Sequence, residues 1–313
     1  MPRRNERAEG SVEPAQVAEA GDERPKPAAP PGAGTGRKRG GAEARERATG
    51  AGAEERRTAA PRRTERPQKA AKSLPPPSAE EMLRRALLAS TPRSRALWAR
   101  RGLSLRGALD RTTQAMLLRQ LYLAHYEEQR FERAVEVAEQ TVALGVLPDV
   151  AHQDAARAMQ ALGDLEGAIG HLRLAARTGP PNRRAFHLWT LGSVYHLAGR
   201  HEEAIGALTR AARWGTTDKP LYQGHLAVVQ CERGEEVPDL GGLIDRLAEA
   251  PSGQGYGRFV LGHLAFHAKR WDEARRYLEA FVRRTSTGRP AQAIALGGEI
   301  ARARKTLAAL PKP

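Results

Sequence analysis

The stretch LWTLGSVYHLAGRHEEAIGALTRAA, from Leu188 to Ala212, decides the fold because it has the pattern of two short helices joined by a tight turn. Apolar and small residues follow the helical period of about 3.6 residues on both sides of Gly199. Glycine adopts a left-handed backbone at little cost, so Gly199 supplies the turn. We expect Gly192 and Ala204 to lie where the helices cross, because small side chains let the backbones come close. The larger residues expected to fill the space between the helices are Leu191, Tyr195 and Leu208.

The same pattern recurs along the chain, which makes this stretch one copy of a repeat of about 34 residues. No period-two alternation, which would be typical of strands, accompanies it. The equivalent positions are Phe131 and Ala134; Gly163, Ala168, Leu172 and Ala175; and Leu261, Gly262, Trp271, Ala274 and Leu278. A further copy keeps its first helix and Gly234, but Pro238 and Gly241–Gly242 interrupt its second helix. Helix pairs repeated at this spacing are typical of a solenoid, in which stacked units share one core.

The residues L-G-x-x-Y, Gly, Ala, Leu and Ala between Leu191 and Ala211 resemble the tetratricopeptide repeat. The resemblance implies an all-α, right-handed helical-hairpin solenoid, and it covers just over half of the chain. The chain departs from the family's pattern at Tyr122, where a small residue is usual, and at Phe281, where alanine is usual. The five units that the resemblance implies are residues 115–148, 149–184, 185–219, 220–254 and 255–290.

The sequence outside the repeats predicts a disordered tail and a helical cap at each end of the solenoid. Residues 1–78 have no Phe, Trp, Tyr or Ile and only one Leu, so they cannot bury enough apolar surface to fold. Residues 79–111 are predicted to be a helical N-terminal cap or a degenerate repeat. Residues 292–310 look like a C-terminal capping helix whose polar face shields the last unit from water.

Two signals place the helices of the N-terminal cap. Ser78 followed by Glu81 is a capping box, which predicts that a helix begins after Ser78. Thr91–Pro92 is predicted to end that helix, and Gly102 is predicted to end the next one. The cap is therefore expected to contain two helices.

The composition excludes several classes of protein. The chain has 51 basic and 36 acidic residues, a formal net charge of +15, with both signs interspersed. Cys231 is the only cysteine, which excludes an intrachain disulfide and a cysteine-based zinc site. No apolar run is long enough to span a membrane, and the charged N-terminus lacks a signal sequence. We therefore expect a cytoplasmic protein, and the Arg-, Ala- and Gly-rich usage suits a bacterial source with a GC-rich genome.

Several patterns suggest chemistry, but each has a simpler structural interpretation. GAGTGRKRG, residues 32–40, lacks the spacing of a phosphate-binding loop, and no strand precedes it. His263 and His267 have a spacing that zinc sites use, but no third ligand follows. Cys231 and His225 lack a group that would orient them for nucleophilic catalysis. We therefore predict no catalytic residue, no metal site and no cofactor.

The densest basic patch of the predicted ordered part lies in TPRSRALWARRGLSLRG, residues 91–107, with Trp98 among the arginines. Basic residues beside an aromatic residue can bind nucleic acid. No base-stacking module or helix-turn-helix pattern accompanies them. A solvated face or a site for an acidic partner is therefore the favoured interpretation.

The resemblance also implies a binding surface, because in this family the first helix of each unit lines a concave groove. The residues carried over to groove positions are Arg119, Tyr126, Gln153, Arg157, Phe186, Trp189, His196, Phe259, His263 and Phe266, with Leu123, Gln160, Ser193 and Tyr256 beside them. Trp189 is expected to be an exposed anchor for a partner, because Leu188 already fills the core-facing place beside it. The carboxylate clamp of some family members is not recognisable, although Arg119 and Arg157 could hold a carboxylate.

These observations predict a non-catalytic scaffold or adaptor that binds a protein or peptide in the groove, as an extended segment or as a helix. Two alternatives stay open. One is a nucleic-acid-associated protein that uses the basic patch and the tail. The other is an accessory subunit of an enzyme, with a metal site on the solenoid.

Overall fold

The computed structural model describes residues 78–311 except Arg106 and Ala108, so the predicted disordered tail, apart from Ser78, lies outside the described residues. Within the described part there are fourteen α-helices, one short 3₁₀ helix and no strand. Each helix packs mainly against its neighbours in the sequence, which confirms the predicted all-α solenoid of helix pairs. None of these described helices is both long enough and apolar enough to cross a membrane.

The helices form six successive pairs, followed by two further helices at the C-terminal end. The pairs are α1 (Ala79–Leu87) with α2 (Pro92–Leu103), α3 (Arg111–Glu127) with α4 (Phe131–Leu144), α5 (Pro148–Leu162) with α6 (Leu165–Thr178), α7 (Pro181–Leu197) with α8 (His201–Trp214), α9 (Lys219–Glu232) with α10 (Leu240–Glu249), and α11 (Gly257–His267) with α12 (Trp271–Thr287). The last two helices are α13 (Pro290–Ala295) and α14 (Gly297–Ala309), and the 3₁₀ helix Pro251–Gly253 joins α10 to α11.

The interior of the α7–α8 pair is packed as the repeat pattern predicts. A β-carbon added at Gly192 would lie 2.6 Å from Cγ of Leu208, so the two helices touch at this point. Ala204 and Leu208 are fully buried, and the equivalent Ala274 and Leu278 of α12 are fully buried too. Because protein interiors are close-packed, a larger residue at position 192 has no room.

A residue with a left-handed backbone marks the turn inside each pair from α3 to α12. These residues are Gln129, Gly163, Gly199, Gly234 and Lys269, at intervals of 34 to 36 residues and with φ between 58° and 82°. Glycine accepts this conformation readily, as the sequence predicts at Gly199. Gln129 and Lys269 adopt it with a β-carbon, which costs free energy because that carbon crowds the following carbonyl oxygen.

The N-terminal cap contains the two predicted helices, but Pro92 begins the second helix, whereas the sequence predicts that it ends the first. The Oγ atom of Ser78 accepts a hydrogen bond from the N–H of Glu81 at 3.3 Å, as expected at a helix start. Pro92 does not end α1, which stops at Leu87. It is instead the first residue of α2, and Thr91 is the N-cap. The reason is that the missing N–H of proline is harmless in the first turn of a helix.

The second helix of the fourth repeat unit, α10, is continuous, whereas the sequence predicts an interruption. Pro238 precedes α10, and Oδ1 of Asp239 accepts a hydrogen bond from the N–H of Gly242 at 3.0 Å. Gly241 and Gly242 therefore lie in the capped first turn of a ten-residue helix, where a side-chain cap satisfies a free N–H group. The buried residues of α10 are Ile244 and Leu247.

The predicted C-terminal capping helix is in fact two helices, which meet at Leu296. α14 packs against α12, as a cap on the last pair would. However, α13 contacts α3 and α5, so the segment 290–309 crosses from one end of the array towards the other. A capping role alone does not account for this path.

Candidate functional site

The candidate site lies on the surface formed by α3, α5, α7, α9 and α11, the first helix of each repeat unit, which we call the first-helix surface. The C-terminal segment 290–309 rests on it, with α13 against α3 and α5 and α14 against α11. Ile300 and Ala303 of α14 are buried in a cluster that includes residues of α11. A β-carbon added at Gly298 would lie 3.3 Å from Cδ2 of Leu197 in α7. The first-helix surface therefore already holds a helix of its own chain.

Arg302 makes the main polar contact between α14 and this surface. Its Nη2 atom donates to Oε2 of Glu232 at 2.5 Å and lies 2.8 Å from Nε2 of His196. Its Nη1 atom donates to the backbone oxygen of His196 at 3.4 Å. Burial opposes ionisation of Glu232, but the contacts with His196 and Arg302 outweigh it and hold the pKa of Glu232 well below its usual range. The carboxylate is therefore ionised, and the guanidinium neutralises it.

Three histidines surround this ion pair. The Nδ1 atom of His196 lies 3.0 Å from Nε2 of His225, and Nε2 of His201 lies 3.8 Å from Oε2 of Glu232. Burial lowers the pKa of His196 and of His225, so both rings are neutral at pH 7. The Nδ1 atom of His225 is buried and has no hydrogen-bond partner within the described part of the chain.

A second polar cluster joins α7, α11 and α14. The hydroxyl of Tyr256 lies 2.6 Å from Oγ of Ser193 and donates to Oε1 of Glu299 at 3.4 Å. Glu299 is 1% exposed, and its Oε2 atom has no partner among the described residues. Burial raises the pKa of Glu299 to about 7, although Tyr256 and Arg302 act to lower it. This carboxyl group therefore changes its charge near neutral pH.

Four of the ten predicted groove residues are buried, whereas the prediction places them at an exposed surface, and their contact with a ligand stays a prediction. They are Gln153, His196, Phe259 and His263. Gln153 is enclosed by the next first helix, where its Oε1 atom lies 3.0 Å from Nδ1 of His187. His196 lies beside Arg302 of α14, and Phe259 packs against His263 of its own helix with ring centroids 4.5 Å apart.

Trp189 is half-buried, whereas the sequence predicts an exposed anchor. Its ring packs edge-on against Tyr256 at 5.2 Å and lies 5.9 Å from Tyr222, because aromatic residues of the following units reach back to it. Phe186, 37% exposed, lies 5.9 Å from Trp189 on its outer side. Leu188 fills the core position beside them, as predicted.

The remaining predicted groove residues lie near the two ends of the first-helix surface. Arg119 of α3 donates to Oδ2 of Asp154 in α5 at 3.0 Å, so its charge is used within the protein. Arg157 is exposed, whereas Tyr126 and Phe266 are half-buried. The structure thus does not bring these ten residues together into a single exposed groove.

The histidines and the cysteine of the patterns considered for enzyme chemistry lie in buried or half-buried surroundings. Burial lowers the pKa of His263 to about 3, and His267 is half-buried beside it. Burial raises the pKa of the Cys231 thiol, which opposes the thiolate that a nucleophile needs. His225, its proposed base, is hydrogen-bonded to His196 instead.

The predicted basic patch is used partly for internal contacts. The guanidinium groups of Arg85 and Arg101 lie 4.9 Å and 5.1 Å from the ring centre of Trp98, so the ring is flanked by cations. Arg95 forms an ion pair with Glu127 at 2.7 Å, and Arg106 lies outside the described residues. The ring of Trp98 therefore already packs with two arginines of its own chain.

Sequence reasoning missed the residues that form the two polar clusters. These are His201, Glu232, Glu299 and Arg302, together with the pairing of His196 with His225. Their spacing matches no motif, because they come from four different helices. The three of them that could hold a metal ion are His196, His201 and Glu232.

No protein-family model matches this chain, and no curated protein is significantly similar to it. The resemblance to the tetratricopeptide repeat therefore rests on the repeat pattern and on the helix pairs.

Proposed function

We propose that this protein is a non-catalytic interaction scaffold of the tetratricopeptide-repeat type, which binds a helical segment of a partner protein on its first-helix surface. The supporting observation is that this surface already holds a helix, α14, through Arg302 and two buried apolar residues. A surface that holds an intramolecular helix has the shape and the polar groups needed to bind a similar helix from another chain. The partner helix would replace α14.

Two aromatic residues that are at least partly exposed beside this surface support the same function. Phe186 is exposed and Trp189 is half-buried, and both lie on α7, the helix that also contacts Arg302. A partner that covers them gains apolar burial, and aromatic anchors of this kind often dominate binding energy. We therefore expect the partner to contact both the α14 site and Phe186.

Two variants of the full chain test the proposal. Both weaken the contact of α14 with the first-helix surface, but only one of them changes a residue of that surface. Arg302→Gln removes the guanidinium from α14 and leaves the first-helix surface intact. Leu197→Arg places a charge on α7 beneath Gly298. Each untagged protein is used to capture partners from lysate in buffer with EDTA, the captured proteins are identified by mass spectrometry, and binding is measured again with the purified partner. We expect a partner that Arg302→Gln binds more tightly than the wild-type chain and that Leu197→Arg binds more weakly.

Arg304→Gln is the matched control, since Arg304 lies on the same helix and is exposed. It should bind the partner as the wild-type chain does. Circular dichroism and thermal melting establish that all four proteins are folded. Equal binding by Arg302→Gln and Leu197→Arg would contradict the proposal, because the partner would then not use the first-helix surface.

A further inference from the structure

Three possible metal ligands converge beside α14. Nε2 or Nδ1 of His196 and His201 and a carboxylate oxygen of Glu232 all lie within 4.8 Å of one another. They come from the end of α7, the start of α8 and the end of α9. Two imidazoles and one carboxylate are a ligand set that zinc uses, with a water molecule in the fourth position.

The hydrogen bonds around Arg302 show that two of these atoms already share a cation. Nε2 of His196 and Oε2 of Glu232 are 2.8 Å apart, a hydrogen-bond distance, and Nη2 of Arg302 lies 2.8 Å from the first atom and 2.5 Å from the second. In the hydrogen bond to the carboxylate, Nε2 of His196 carries the proton. A metal ion would take the place of that proton, because an imidazole nitrogen binds a metal through its lone pair.

We propose that His196, His201 and Glu232 form a binding site for a divalent transition-metal ion of the zinc class, which competes with the guanidinium of Arg302 for one position. A tetrahedral ion with ligands at about 2.0–2.2 Å places neighbouring ligand atoms about 3.4 Å apart. Two of the observed separations, 2.8 Å and 3.8 Å, bracket this distance, and the third, between the two histidines, is no more than 4.8 Å. Shifts of these side chains complete the site once Arg302 leaves.

Two features of the surroundings suit a metal site. The Nδ1 atom of His196 is hydrogen-bonded to His225 at 3.0 Å, which fixes the ring with Nε2 towards Glu232. A hydrogen bond to the second ring nitrogen orients a metal-binding histidine. The side chain of His201 is 33% exposed, so it provides a route for the ion from solvent.

The test uses the untagged full chain and Zn²⁺, measured by titration calorimetry, with Co²⁺ absorbance as a report on the coordination. Arg302→Gln should bind one Zn²⁺ at least about tenfold more tightly than the wild-type chain, because a competing positive charge is removed. His201→Gln in the Arg302→Gln background should weaken Zn²⁺ binding at least about tenfold. Loss of a residue that only hydrogen-bonds a metal ligand already lowers metal affinity by about this factor, and loss of a ligand itself should lower it no less.

Two controls make the result specific. Arg304→Gln should bind Zn²⁺ as the wild-type chain does. His171→Gln in the Arg302→Gln background should not change binding, although His171 belongs to another close histidine pair, with His152 at 3.1 Å. The wild-type chain and its His201→Gln variant give the same contrast at higher metal concentration, so the test does not depend on one variant's folding.

Three results would overturn the proposal. One is no binding of Zn²⁺ by Arg302→Gln, and another is equal binding with and without His201. The third is loss of binding in the His171→Gln variant, which would assign the ion to the other histidine pair. The proposal is independent of the scaffold function, because metal binding is measured without any protein partner.

Discussion

The interiors of the helix pairs and the first-helix surface are built from opposite kinds of residue. In the α7–α8 pair, Gly192, Ala204 and Leu208 form a fully packed apolar contact between residues that are close in sequence. On the first-helix surface, buried polar groups make contacts between distant parts of the chain. Arg302 and His196, which are hydrogen-bonded there, are 106 residues apart.

The difference teaches where the fold is fixed and where it can change. Apolar packing inside a pair has no alternative partner, because exposing it to water costs free energy in proportion to its area. A buried polar cluster is stable only while its groups are paired, and its charged partners can be replaced by others. We therefore expect helix pairs that resist change and a first-helix surface that responds to charge.

The largest effect is expected from a substitution inside a helix pair. Gly192→Val should lower the free energy of unfolding by about 3 kcal/mol or more, because its side chain has no room beside Leu208. Gly206→Val is the matched control on α8, where an added β-carbon meets nothing within 4 Å. Its effect should stay within about 0.5 kcal/mol, since glycine and valine are both poor helix formers. Equal losses in urea denaturation would show that the close approach is not what limits position 192.

A pH-dependent effect is expected from the first-helix surface. The pKa of Glu299 is about 7 in the folded chain, above the 4.5 of an exposed glutamate, so the folded state binds its proton more tightly. The stability that this provides is complete below pH 4.5 and is lost as the pH rises through 7. Glu299→Gln should therefore gain roughly 2 to 3 kcal/mol relative to the wild-type chain between pH 5 and pH 8.

Urea denaturation of the two proteins at both pH values checks this, and pH 5 serves as the reference because protonated glutamate and glutamine have nearly the same shape. The contribution of His263, whose pKa is lowered by burial to about 3, is the same in both proteins and cancels. A stability difference that does not change with pH would place the Glu299 carboxylate in contact with water.

The fold could be predicted from the sequence because the contacts that make it are local and repeated. Gly192, Ala204 and Leu208 recur as Gly262, Ala274 and Leu278, so the packing expected in one copy can be expected in the other. The structure differs from the predicted helices at Pro92 and in α10 only in detail. The reason is that a proline or a glycine can lie in the first turn of a helix as well as end one.

The candidate site could not be predicted in the same way. The partners of His196 are His225 and Glu232 on α9 and Arg302 on α14, and Arg302 belongs to a segment outside the repeats. A repeat pattern describes what neighbouring units share, and it contains no information on a segment that occurs once. The burial of four predicted groove residues was not predicted, because the repeat pattern does not fix how closely the neighbouring helices approach.

The smallest effect is expected at a turn, and it tests how far the repeat pattern governs the helix pairs. Lys269 occupies the left-handed position that Gly199 occupies two units earlier, with φ of 58°. A β-carbon in this conformation costs about 1–2 kcal/mol, whereas glycine loses about 0.5–1 kcal/mol more chain entropy on folding. Lys269→Gly should therefore raise the free energy of unfolding by about 0.5 kcal/mol. Lys269→Ala, which keeps the β-carbon, should not stabilise the protein. If both variants raise the urea midpoint equally, then the lysine side chain rather than the backbone is the source of strain, and the turn follows a rule different from that of Gly199.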